Sequence, residues 1–146
     1  MFVVFIRHGA YKTEGYSDDN LYPLSDEGKQ SIYTLCKKLK EQNIVPELLF
    51  SSPLKRAEET SEIISESFSV SMDLLDELNH FNKEVLKNLI QINAPKTIFF
   101  VGHAPTLLGF AKELCKDLPI TDLKKGAAIV LDVNEDEKKA TFRQAF

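Results

Sequence analysis

The chain has 146 residues, 43% hydrophobic and 27% charged, a balance that excludes disordered and fibrous proteins and leaves room for one hydrophobic core. A formal charge of −4 with a pI near 5.4 argues against nucleic acid as a partner, since binders of a phosphate backbone usually carry a basic face. No apolar run approaches the roughly twenty residues that cross a bilayer, and Met1 to Ile6 lacks a basic flank and a cleavage site; the expectation is one cytoplasmic domain over residues 1–146, with no membrane partner.

Phe2 to Ile6 is a continuous β-branched and aromatic run, the pattern of a strand covered on both faces. It leads directly into Arg7-His8-Gly9. A helix is expected from Ser25 to Gln42, with Ser25 as cap, Asp26 and Glu27 in the first turn, and Ile32, Leu35, Cys36 and Leu39 on one face. Lys37, Lys38 and Lys40 read as its solvated side. Leu48 to Phe50 is a shorter strand closed by Ser51-Ser52-Pro53, after which Ala57, Ser61, Ile64 and Phe68 trace a second helix containing Arg56.

Val85, Leu86, Leu89 and Ile90 mark a third helix, and Thr97 to Val101 a third buried strand that ends in Gly102-His103. Leu107, Leu108, Ala111, Leu114 and Cys115 give a fourth helical stripe. Two further strands, Ala127 to Val133 and Ala140 to Phe146, are separated by a polar turn over Asn134 to Lys138 and suggest a hairpin. Cys36 and Cys115 each sit among apolar helix positions, which fits buried free thiols in a reducing compartment. The alternation predicts a three-layer α/β/α sandwich whose central sheet is mostly parallel, with a C-terminal antiparallel hairpin or edge strand.

Ligands of such sheets bind at the carboxyl ends of the strands. Three strands deliver Arg7, His8, Arg56 and His103 toward that edge, and Pro53 and Pro105 place two helix N-termini there. Guanidinium forks pair with phosphate oxygens and stay charged at any working pH, while a neutral imidazole can attack phosphorus. Taken singly, each residue reads as a surface charge or a cap; together they call for a phosphoryl group.

With Arg7-His8-Gly9, then Ser51-Ser52-Pro53-Leu54-Lys55-Arg56-Ala57-Glu58-Glu59-Thr60, then Gly102-His103-Ala104-Pro105, the chain resembles the histidine phosphatase superfamily, the phosphoglycerate mutase-like group. Its short length, its Arg-Ala-Glu block and the Leu-Leu-Gly-Phe after the last motif liken it to the small phosphohistidine phosphatases of the SixA type. The resemblance implies His8 as nucleophile and Arg7, Arg56 and His103 as the phosphate pocket, with no cofactor and no metal. It also implies a phosphorylated protein, carrying a phosphohistidine domain, as substrate and inorganic phosphate as product. Ala10 departs from the acidic or amide residue common after the glycine in larger members, and Glu59 stands where Gln is usual.

Larger relatives carry a long insertion that covers the site and supplies a Glu to protonate the leaving oxygen. Here only about forty residues separate Arg56 from the Thr97 strand, so a domain without a large cap insertion and an open pocket are expected. Asp18 and Asp19 are the preferred candidate acids, ahead of Glu14 and Glu77, although a surface charge is the commoner role for each. His80 reads as a surface residue. A metabolite-directed phosphomonoesterase is the alternative, and a phosphoprotein-binding module without turnover is a third reading that the intact His8 disfavours.

Overall fold

The computed structural model describes residues 1–134 and 139–146; of the expected turn between the last two strands, residues 135–138 lie outside it. Six strands form one sheet: β1 (Phe2–Arg7), β2 (Leu48–Ser51), β3 (Met72–Leu74), β4 (Ile98–Gly102), β5 (Ala128–Asn134) and β6 (Lys139–Ala145). Their order is β3-β2-β4-β1-β5-β6. The first four run parallel, whereas β5 is antiparallel to β1 and β6 to β5.

Four helices cover the two faces: α1 (Asp26–Glu41), α2 (Lys55–Phe68), α3 (Lys83–Asn93) and α4 (Ala104–Leu114). Alternate residues of the central strands face opposite ways. Val4 and Ile6 of β1, with Phe99 and Val101 of β4, meet Ile32, Leu35 and Leu39 of α1 and Ile64 of α2. Val3 and Phe5, with Ile98 and Phe100, meet Leu86 and Ile90 of α3 and Leu107 and Phe110 of α4. Burial on both faces is why β1 reads as an unbroken apolar run rather than an alternating one.

The caps follow the sequence signals. Ser25 accepts a hydrogen bond from Gly28 N at 3.0 Å at the start of α1, and Pro105 lies in the first turn of α4. Pro53 differs from expectation: α2 begins at Lys55 with Leu54 at its cap, so the proline precedes the helix instead of opening it. The short edge strand β3 was not expected, since its Asp73 and Leu74 are exposed and no apolar run announces it. Cys36 and Cys115 are buried free thiols. No helix among the described residues is long and apolar enough to cross a membrane.

The topology creates the crevice. The helix after β4 lies on one face of the sheet, while those after its neighbours β1 and β2 lie on the other. Connections that leave adjacent strands for opposite faces open a cleft beyond the carboxyl ends of those strands. Register then sets the contents: Arg7 pairs with Gly102 and Ser51 with Val101, so His8 and His103 begin at one level and Ser52 stands level with Arg7.

Candidate active site

His8 follows β1 directly, its amide donating to Gly102 O at 3.0 Å. The next residue is pinned as well. Gly9 N donates to Thr60 Oγ1 at 3.1 Å, and the same hydroxyl donates to Arg56 O at 2.8 Å, tying the loop to the first turns of α2. A side chain at Gly9 would sit 2.9 Å from Gly28 O, and one at Gly28 would sit 2.1 Å from Ala10 O, so this backbone crossing accepts only glycine on either side.

The tautomer of His8 follows from its partners. Nδ1 lies 2.9 Å from Gly9 O, which can only accept, so Nδ1 carries the proton and Nε2 presents a lone pair. That lone pair accepts a 3.3 Å hydrogen bond from Arg56 Nε. His8 is 2% exposed, and burial lowers its pKa to about 4, outweighing the Gly9 carbonyl, with Arg56, Arg7 and His103 lowering it further. The ring is therefore neutral throughout the physiological range.

Because the folded pKa lies below the unfolded value of 6.5, the unfolded chain takes up the proton first as pH falls. The contribution to stability is complete above 6.5 and is lost toward 4, amounting to about 3 kcal/mol. Denaturant unfolding across that window should show the loss, a His8→Gln variant should lack it, and NMR titration should place the His8 midpoint near 4.

Arg56, 7% exposed, uses all three guanidinium nitrogens: beyond the bond to His8, Nη1 donates to Asp19 O at 2.7 Å and Nη2 to Asp19 Oδ2 at 3.3 Å. The Asp19 carboxylate is 64% exposed, so this pair is worth at most about 1 kcal/mol and yields readily to a better anion. Arg7 Nη1 donates to Leu123 O at 2.9 Å, whereas its buried Nε has no hydrogen-bond partner. A buried guanidinium N–H left over beside another arginine and two imidazoles suits an anionic oxygen. His103 caps α4, its ring donating to the Asn79 carbonyl and its Nε2 lying 3.1 Å from Thr106 Oγ1. Burial first, then Arg56 and Arg7, hold its pKa below the ordinary value.

The candidate acids separate in space. Asp19 reaches Arg56; Asp18 instead caps the 3-10 turn Asp19–Leu21 by accepting from Asn20 N at 2.9 Å. Glu14 is exposed on the same segment, and Glu77 lies in the 3-10 turn Asp76–Asn79 that leads to His103's carbonyl partner. His80 is exposed. The expectation of an open pocket needs correction: no long insertion follows α2, yet the segment between β1 and α1 folds over His8, which is buried. Tyr11 bridges to Leu24, and Leu24 N donates to Glu59 Oε1 at 2.7 Å, so the residue standing where Gln is usual fastens this cover.

Several residues at the site escape sequence reasoning. Tyr11 meets His8 edge-on at 5.4 Å between ring centres and carries Arg56 Cζ 4.7 Å from its own. Tyr22 stacks on it at 5.8 Å. Thr60 lies within the quoted Arg-Ala-Glu-Glu-Thr block, which was its only signal; Tyr11 and the Leu123 carbonyl had none. Among the described residues no three His, Cys, Asp or Glu side chains converge as a metal site would require. A groove of about 520 Å³ beside Met1, Ile90, Leu114 and Val133 lies at the other end of β1 and involves none of these groups.

A buried neutral imidazole lies between two arginines at a strand-end crevice, an arrangement that suits an anionic oxygen group. The chain belongs to the histidine phosphatase superfamily (branch 1), whose family profile matches residues 3–97, and so stands among the phosphatases. Its structure is similar to that of the protein histidine phosphatase SixA complexed with tungstate, with TM-score 0.89 and 23% identity over 100% of this chain and 96% of that one. It is also similar to a putative phosphohistidine phosphatase SixA from Agrobacterium tumefaciens, with TM-score 0.81 and 18% identity over 99% and 97%. A phosphoserine phosphatase from Entamoeba histolytica, in complex with 3-phosphoglyceric acid, follows with TM-score 0.76 and 16% identity over 99% and 95%. At these identities the likeness is one of fold. No curated protein sequence matches the chain.

Proposed function

We propose that this protein is a metal-independent phosphohistidine phosphatase acting on a phosphorelay or phosphotransfer protein in the cytoplasm, as a single domain over residues 1–146. The observation that carries the reading is the His8 Nε2 lone pair, buried, unprotonated and in contact with Arg56. In the first step Nε2 attacks phosphorus, the Nε2–P bond forms, and the bond from phosphorus to the substrate's imidazole nitrogen breaks. That nitrogen leaves with a proton, which an imidazole acquires easily near neutral pH. In the second step water attacks the phospho-His8 intermediate, the Nε2–P bond breaks, and inorganic phosphate departs.

Arg7 and Arg56 hold the non-bridging oxygens, with the free Arg7 Nε and the Asp19-facing edge of Arg56 as donors. His103, neutral at rest, gains a proton more readily once the dianion binds and donates to the same group. Asp19, lying nearest the site among the four carboxylates, is the preferred source of the leaving group's proton; its ion pair with Arg56 must first give way to phosphate.

Likeness to a protein histidine phosphatase and to a putative phosphohistidine phosphatase supports a phosphate carried on a protein. A metabolite-directed phosphomonoesterase is the second reading, favoured by the burial of His8 beneath the segment after β1, since small substrates gain contacts from enclosure. Turnover of a phosphohistidine-bearing phosphotransfer protein, measured against that of sugar phosphates, separates them. The first reading expects kcat/KM for the phosphoprotein to exceed that for any sugar phosphate by at least about tenfold, a transition-state preference of about 1.4 kcal/mol; comparable values would overturn it.

A further inference from the structure

We propose that Lys125 is a further phosphate-binding residue of this site, a third cation resting over Tyr11 until substrate arrives. Lys125 lies in the loop between α4 and β5, far in sequence from all three motifs. Its neighbour Gly126 fixes its position: Gly126 N donates to both Arg7 O at 3.1 Å and His8 O at 2.9 Å. Gly126 takes φ +76°, and a side chain there would lie 2.9 Å from Ser31 Oγ, so only glycine fits. Two residues before Lys125, Leu123 O accepts a hydrogen bond from Arg7 Nη1. The loop thus grips the Arg7-His8 segment through its backbone and the Arg7 side chain together.

Lys125 Nζ stands 4.7 Å from the centre of the Tyr11 ring, the ring that also carries Arg56 and meets His8. Among the described residues no carboxylate forms an ion pair with Lys125, although the net charge is negative. A cation–π rest at an exposed site is weak, and a flexible ammonium exchanges it for a phosphate oxygen when a dianion occupies the crevice. Lys125 adds charge at the outer side of a phosphoryl group whose inner oxygens face the two arginines. Its effect is on holding phosphate, more than on the chemical step.

The proposal rests on the phosphatase reading and is tested separately from it. Binding of inorganic phosphate, followed by ³¹P NMR titration, requires no turnover; steady-state hydrolysis of p-nitrophenyl phosphate gives KM and kcat. In Lys125→Met the phosphate Kd and KM should rise about three- to tenfold while kcat changes less than twofold, the rise shrinking at high salt. Lys125→Arg should restore most of the binding, and Lys124→Met, the adjacent lysine, should match the native protein. A Lys125→Met variant whose phosphate Kd equals that of Lys124→Met overturns the proposal, as does one that loses kcat with Kd unchanged. Should the native protein bind phosphate without hydrolysing any ester or phosphohistidine, the phosphatase reading fails, and the Kd comparison still decides the role of Lys125.

Discussion

Replacing His8 with alanine is expected to lower turnover by at least about 10⁴-fold, the scale seen when a covalent nucleophile is removed, while inorganic phosphate still binds within a few-fold of the native affinity. In the proposed mechanism covalent catalysis passes through one atom, His8 Nε2. The other imidazole, His103, has its ring engaged by the Asn79 carbonyl and by Thr106. Binding survives because the anion is held by the guanidinium groups. The truncation even frees Arg56 Nε, whose partner in the resting protein is His8 Nε2. Steady-state kinetics and phosphate titration on the same preparation check both halves; retained hydrolysis, or binding lost together with it, would count against the assignment.

Arg56→Lys should cost about 10²- to 10³-fold in kcat/KM although the charge is kept, a loss comparable to removing a donor aimed at transition-state charge. Arg56 turns Nε to His8 and both Nη atoms to Asp19, and its Cζ lies 4.7 Å from the centre of the Tyr11 ring. An ammonium offers one compact charge on a flexible stem and cannot hold two phosphate oxygens while lying flat against a ring. The measurement is kcat/KM for a phosphohistidine protein, with the Tm of the variant recorded alongside. An Arg56→Lys protein within about tenfold of the native value would show that shape is irrelevant and charge alone suffices.

The parts of this molecule that its sequence reveals are those coded by runs and periods. β1 and β4 are apolar over consecutive positions because helices cover both sides of the sheet, and each run ends at a residue of the site, Arg7 or Gly102 followed by His103. The α1 boundaries were equally plain, with Ser25 capping and Gln42 closing the helix. What stays hidden is coded by single long-range contacts. β3 is three residues long and half exposed, so it exists by pairing with β2 and not by any pattern of its own.

The cover over His8 is hidden for a similar reason. The segment from Tyr11 to Leu24 has no period; a bridge closes it on itself, and scattered contacts hold it down, among them the bond to Glu59, the grip of Arg56 on Asp19 and the packing of Tyr11 on His8. The length of chain after Arg56 carries no information on the residues before α1, which supply the cover. Tyr11 and Lys125 meet only once the sheet has brought β1 and the loop before β5 side by side.

The central claim is that phosphate passes through Nε2 of His8, and the most direct test is to catch it there. Native protein mixed briefly with a phosphohistidine substrate and quenched in alkali, which preserves a phosphorus–nitrogen bond, should yield on mass mapping one phosphorylated peptide, with the group on His8. The adduct should vanish on acid treatment and never form in His8→Ala. Phosphate found on another residue, or rapid hydrolysis with no base-stable adduct at any mixing time, would contradict the account.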